Sequence, residues 1–69
     1  MKLHYYPDTD SLYIDLSSKQ SIESNEIADG IVVDFDEDGN VVGIDIDRAS
    51  RILDLNRLEI EGLPLPAAS

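Results

Sequence analysis

Residues 34–45 read DFDEDGNVVGID. Carboxylates at the first, third and fifth places, glycine at the sixth and an acid at the twelfth come close to D-x-[DN]-x-[DN]-G-x5-E. That loop wraps oxygen ligands around calcium. Asp34, Asp36, Asp38 and Asp45 are therefore candidate metal ligands, with Asp45 standing where a bidentate glutamate is usual. A calcium loop of this kind needs helical periodicity on both sides, and here GIVVDF and VVGIDI alternate with period two. Alternation predicts two strands, and Asp38-Gly39 predicts a two-residue hairpin turn between them. Phe35 then pairs with Val42, Val33 with Ile44 and Ile31 with Ile46, all on one face. Asp34 and Asp45 diverge from the turn instead of converging on an ion. The hairpin explains the string, and no metal or other cofactor is expected.

The remaining chemistry is sparse. His4 is the one histidine of the chain. On an N-terminal hairpin it sits beside Tyr13 on the outer face, with no nucleophile and orienting acid nearby. One sheet and one helix also leave little room for a ligand cavity of at least ~300 Å³. The reading is not an enzyme. More informative are the carboxylates Asp15, Asp34, Asp36, Asp45 and Asp47, which the alternation places on the outer face with Tyr6, Tyr13, Val32 and Val41. Crowded carboxylates repel one another, so they favour a counter-ion, metallic or proteinaceous. Tyrosine adds contact area and a polar tip at small entropic cost. Tyr6, Tyr13, Asp15, Asp34, Asp36 and Asp45 are the candidate partner-binding residues.

The elements that carry these groups follow from local patterns. KLHYY and SLYIDL flank PDTD, where proline and two aspartates mark a turn. With Tyr6 opposite Ser11, Tyr5 faces Leu12 and Leu3 faces Ile14 on one side. His4 meets Tyr13, and Lys2 meets Asp15, on the other. The polar IESNEIAD segment reads as an edge strand whose charges discourage further pairing, although Ile22 and Ile27 fall on opposite faces of a regular strand. After Asp47 the period changes. Ala49, Ile52 and Leu53 predict a helix of two to three turns, N-capped by Asp47, over the apolar face. NRLEIEG alternates again, and LPLPAAS is expected to be extended.

Composition bounds the partners. A chain of 69 residues buries only about 60% of its unfolded surface, so reinforcement by disulfide, metal or self-association is expected. No cysteine is present. Leu55, Leu58, Ile60, Leu63 and Leu65 are too many apolar side chains for a trailing end. They either fold back or reach into a second copy, and a homodimer is the expected state. Residues 1–47 carry twelve acidic and two basic side chains, whereas residues 48–69 carry three of each. The acidic body repels nucleic acid and anionic membranes and attracts a basic protein. With no leader-like or membrane-spanning apolar stretch, a cytoplasmic location is expected.

YPDTDSLYIDL near the start, DGIVVDFDEDGNVVGIDI in the middle and a helical AS-R-L stretch, taken in that order and spacing, resemble one family over about residues 5–53. It is the family of short prokaryotic proteins known as domain of unknown function 2283. The resemblance implies a compact antiparallel sheet with a short helix and carries no catalytic site. It also implies products of small two-gene modules, some regarded as toxin–antitoxin pairs, in which such a chain is the neutralising partner.

The expectation is an α+β domain over residues 1–56, an antiparallel meander of about five strands with a C-terminal helix packed on one face, followed by a tail or arm over 57–69. Its expected function is a non-catalytic acidic interaction module, an antitoxin-like neutraliser of a basic partner. The alternatives are a self-assembling homodimeric domain and a weak calcium binder.

Overall fold

The structure is a computed structural model that describes residues 1–64. Leu65 and the residues after it lie outside that range, so the expected extended end is described only as far as Pro64. Five antiparallel strands form one open sheet: β1 (Lys2–Tyr6), β2 (Ser11–Asp15), β3 (Glu23–Ala28), β4 (Ile31–Phe35) and β5 (Val41–Ile46). One short helix follows, α1 (Ala49–Ile52). The order across the sheet is β1-β2-β5-β4-β3. Thus β3, β4 and β5 form a meander, and the β1–β2 hairpin joins it through β2 and β5. β5, the strand richest in apolar and small residues, takes the centre, where both its edges are paired. β3, the most polar strand, takes an outer edge, where its charges meet water.

The first hairpin has the expected register, with Tyr6 opposite Ser11, Tyr5 opposite Leu12, Leu3 opposite Ile14 and Lys2 opposite Asp15. The pairing of β2 with β5 sets Leu12 against Ile46, Ile14 against Ile44 and Tyr13 against Asp45. Since side chains alternate along each strand, one face collects Leu3, Tyr5, Leu12, Ile14, Ile31, Val33, Ile44 and Ile46. The other face collects His4, Tyr13, Asp15, Asp34, Gly43 and Asp45. In β3 a register shift between Glu26 and Ala28 leaves Ile27 as an extra residue. That bulge removes the conflict in phase between Ile22 and Ile27, and both side chains are exposed.

The β4–β5 hairpin departs from expectation at its tip. Ile31 opposes Ile46 and Val33 opposes Ile44 as expected, but Phe35 opposes Val41, with a register shift after Asp34. The turn is not the two residues Asp38-Gly39. The Asp36 N–H donates to the Asn40 carbonyl at 2.9 Å, closing a three-residue loop, Glu37–Gly39. Gly39 has φ 82°, the left-handed conformation that such a loop requires of its last residue. The physical cause is Asp36 itself. Its Oδ1 accepts from the N–H groups of Asp38 and Asn40, both at 2.9 Å, an Asx-type arrangement that a tighter turn cannot accommodate. One residue of β5 is left over. Val42 is buried and Val41 exposed.

The helix also differs from expectation. It is one turn, not two to three, and Asp47 does not cap it. The preceding position is Arg48 in the left-handed conformation (φ 52°, ψ 42°), with no side-chain cap hydrogen bond. Asp47 instead continues the strand ladder, its N–H donating to the Gly30 carbonyl at 2.8 Å. The cap comes from Asp10 at the end of the first turn. Its carbonyl accepts from the Ala49 N–H (2.8 Å), and its Oδ1 accepts from the Ser50 N–H (3.1 Å). The helix stops where Leu53 becomes extended. Beyond it, Asp54 Oδ1 accepts from the Asn56 N–H (3.2 Å), a local turn that competes with helical hydrogen bonding.

Among the described residues the buried apolar set is small: Val33, Val42, Ile46 and Ala49, with no large side chain fully buried. Ala49 is the one buried residue of α1. Among the described residues, no helix is long and apolar enough to cross a membrane.

Candidate functional site

The outer face is organised around a residue that sequence reasoning passed over. Gly43 lies in the middle of the central strand, opposite Asp15 on β2 and Asp34 on β4. Because it has no side chain, the Tyr13 phenol lies across it. A Cβ at Gly43 would stand 1.9 Å from Tyr13 Oη and 2.6 Å from its Cζ. Tyr13 reaches from β2 over β5 and donates to Asp34 Oδ2 on β4 at 2.9 Å. From the other side, Ser24 Oγ on β3 donates to Asp34 Oδ1 at 2.6 Å. Tyr13, Asp34 and Ser24 thus form a hydrogen-bonded row spanning four strands. An isolated glycine inside a strand pattern signals a close approach of this kind, which is the cue the sequence offered.

This row has an electrostatic consequence. The Tyr13 phenol is pushed up from 10.0 to about 12, first by its hydrogen bond to Asp34, then by partial burial and by the negative charges of Asp34, Asp15 and Asp45. Asp45 is also pushed up, chiefly by burial and then by repulsion from Asp47 and Asp34. A raised tyrosine pKa means that the folded state holds the proton more tightly than the unfolded chain does. Its stabilisation is therefore complete below about pH 10 and lost as pH rises through 12. In a Tyr13→Phe variant, alkaline unfolding in this window should be shallower, as followed by circular dichroism. Ultraviolet titration should show a phenol that ionises near pH 12 in the wild type and is missing from the variant. Equal alkaline profiles would contradict the assignment.

The expected residues divide into three groups. Tyr13, Asp15, Asp34 and Asp45 do share the outer face, each half-buried. Tyr6 is exposed at the β1 edge, its ring centroid 4.3 Å from that of His4. Asp36 is not part of the open face. It is 5% exposed, and its carboxylate is committed to the loop backbone. The calcium candidates separate likewise, because Asp36 turns inward to the loop while Asp34 is held by Tyr13 and Ser24. Among the described residues, no three acidic or histidine side chains are grouped to hold a metal ion.

A second cluster was also missed. Tyr5 Oη donates to Asp10 Oδ1 at 2.7 Å, and Ser50 Oγ donates to Asp10 Oδ2 at 2.7 Å. Asp10 has φ 53°, a left-handed conformation that aspartate tolerates better than most residues. These hydrogen bonds, Ser50 first and Tyr5 second, hold its carboxyl below the ordinary range, and Asp10 in turn raises the Tyr5 phenol. The cluster ties the first hairpin to α1. Its work is structural.

Comparison with known proteins adds kinship but no activity. The pattern of a family described as "Protein of unknown function (DUF2283)" matches residues 2–50. The chain is 32% identical over 60 residues to "Uncharacterized protein MJ0789" of Methanocaldococcus jannaschii, a match covering 87% of this chain and 51% of that protein. The chain thus spans about half the length of that relative. No solved structure matches. The matched region takes in all five strands, the Asp10 cluster and the Tyr13–Gly43–Asp34 row, and on it the chain belongs to the DUF2283 family of proteins of unknown function.

Proposed function

We propose that this protein is a non-catalytic acidic interaction module whose outer sheet face docks a basic partner protein. The observation that carries the reading is the Tyr13–Asp34–Ser24 row seated across Gly43. It fixes a tyrosine ring and a carboxylate on a flat surface beside Asp15 and Asp45, so these groups lose little freedom on contact with a partner. Lys2 is the one lysine or arginine on the paired strands of that face. Arginine or lysine side chains of the partner would pair with Asp15 and Asp45, while Tyr13 and Tyr6 supply contact area. Asp36 contributes indirectly, by holding the adjoining loop. An antitoxin-like neutraliser, masking a basic surface by charge, is the biological form this chemistry suits.

The test compares two double variants with the same change in charge. A basic partner, captured from the native host and then purified, should bind Asp15→Asn/Asp45→Asn at least tenfold more weakly, about 1.4 kcal/mol. Its affinity should also depend less steeply on salt. Asp8→Asn/Glu61→Gln removes two charges away from the face and should change affinity by less than about twofold. Equal losses in the two variants would reduce the effect to net charge and remove the proposed face.

A further inference from the structure

The apolar side of the sheet carries an open groove that the sequence reading did not expect. It has a volume of about 780 Å³. Leu3, Leu12 and Ile14 of the sheet line one side, and Leu53, Leu55 and Leu58, from the chain that returns after α1, line the other. The returning segment borders the groove without filling it. Leu58 is 69% exposed and Ile60 59%. Leu3, Tyr5, Leu55 and Leu63 are each exposed by two fifths or more.

We infer that the occupant is a second copy of this chain, in a two-fold dimer where Leu58, Ile60 and Leu63 of each chain enter the groove of the other. Groove and apolar segment belong to the same chain, which is the condition for a self-complementary, closed interface. Arg57 Nη2 pairs with Glu59 Oε1 at 3.2 Å, so the two charged side chains satisfy each other, while Leu58 and Ile60 stay exposed beside them.

The area is sufficient. Leu3, Tyr5, Leu55, Leu58, Ile60 and Leu63 expose apolar surface on the order of 100 Å² each. Two copies together would bury about 1,200 Å², the lower bound of specific stable interfaces. Charge decides between occupants. The net charge is −10, and Asp15, Asp34 and Asp45 lie on the opposite side of the sheet from Leu3, Leu12 and Ile14. Two copies that meet groove to groove keep their acidic faces apart, whereas a basic partner is drawn to the other side. Finally, a chain of this size with no cysteine and, among the described residues, no large side chain fully buried gains from association the apolar burial that it lacks alone.

The experiment is sedimentation equilibrium of the full chain across micromolar concentrations. The expected species has twice the chain mass of 7.6 kDa. Leu58→Asp/Ile60→Asp should raise the dissociation constant at least tenfold while far-ultraviolet circular dichroism stays unchanged, because both positions lie outside the sheet. An independent arm uses the absence of native cysteine. A Leu58→Cys chain mixed with a Leu12→Cys chain of distinguishable mass should form the mixed disulfide in excess over either symmetric one. A monomer at all concentrations would overturn the inference. So would a dimer indifferent to the aspartate pair, or a mixed disulfide no more abundant than the symmetric products. None of these outcomes bears on the acidic face, since none of the three variants touches it.

Discussion

Gly43→Ala should destabilise the fold by about 1–3 kcal/mol, the range for forcing extra volume into a packed site. Ordinarily the substitution would help, since alanine in a strand is favoured over glycine by roughly 0.5–1 kcal/mol. Here the new Cβ would stand 1.9 Å from the Tyr13 hydroxyl and 2.6 Å from the ring carbon that bears it. Atoms cannot share that space, so the phenol must swing off the sheet. In leaving, it abandons Asp34, and a hydrogen bond to a charged acceptor is worth about 1.5–3 kcal/mol. Urea denaturation reads the loss. The mechanism has a sharper signature than the loss alone. In a Tyr13→Ala background nothing remains to displace, so the same glycine substitution should be neutral or stabilising. The double-mutant cycle then isolates the coupling. The phenol pKa should fall back from about 12 toward 10.0 in the single variant. Additive effects of the two substitutions would show that Gly43 matters for some other reason.

Asp36→Ala is expected to cost about 1.5–3 kcal/mol, the range for hydrogen bonds to a charged group. Asp36 is 5% exposed, and its carboxylate accepts from two backbone N–H groups on the same oxygen. Alanine leaves both donors without their acceptor at the tip of the central hairpin. Asp36→Asn should cost distinctly less, because the amide carbonyl occupies the position of Oδ1. The pair also separates the roles that the sequence left mixed. If the work of Asp36 is to shape the loop, Asp36→Asn should keep partner affinity within about twofold while Asp36→Ala lowers both stability and the protection of the Asn40 amide from hydrogen exchange. A melting temperature that falls equally in the two variants would show that charge, not the accepting oxygen, is what the loop needs.

Much of this architecture was legible from period-two alternation. Tyr6 opposite Ser11, Ile31 opposite Ile46 and Val33 opposite Ile44 follow from the requirement that apolar side chains share a face. The edge position of β3 followed from its poor alternation and its charges. Where expectation failed, a competing local interaction had prevailed. The Asp36 side chain took two backbone donors and widened the turn, and the added residue moved Phe35 from Val42 to Val41. The α1 cap failed for a different reason. Asp47 is a good capping residue in isolation, but its backbone was already used by the strand ladder, and Asp10 arrived from 40 residues away to supply the acceptor.

The sequence by itself determined which side chains face the same way, because alternation is a property of one strand and needs no knowledge of its neighbours. It also determined the charge of the outer face and the greasiness of the inner one. Only the tertiary structure decided what those faces contain. Whether Tyr13 can reach Asp34 depends on β5 lying between β2 and β4 with a glycine at the crossing point, and strand order is not written in any local pattern. Asp10 meets Ser50, and the segment after α1 borders Leu3 and Leu12, for the same reason. Lateral neighbours in a sheet are set by the packing of the whole chain.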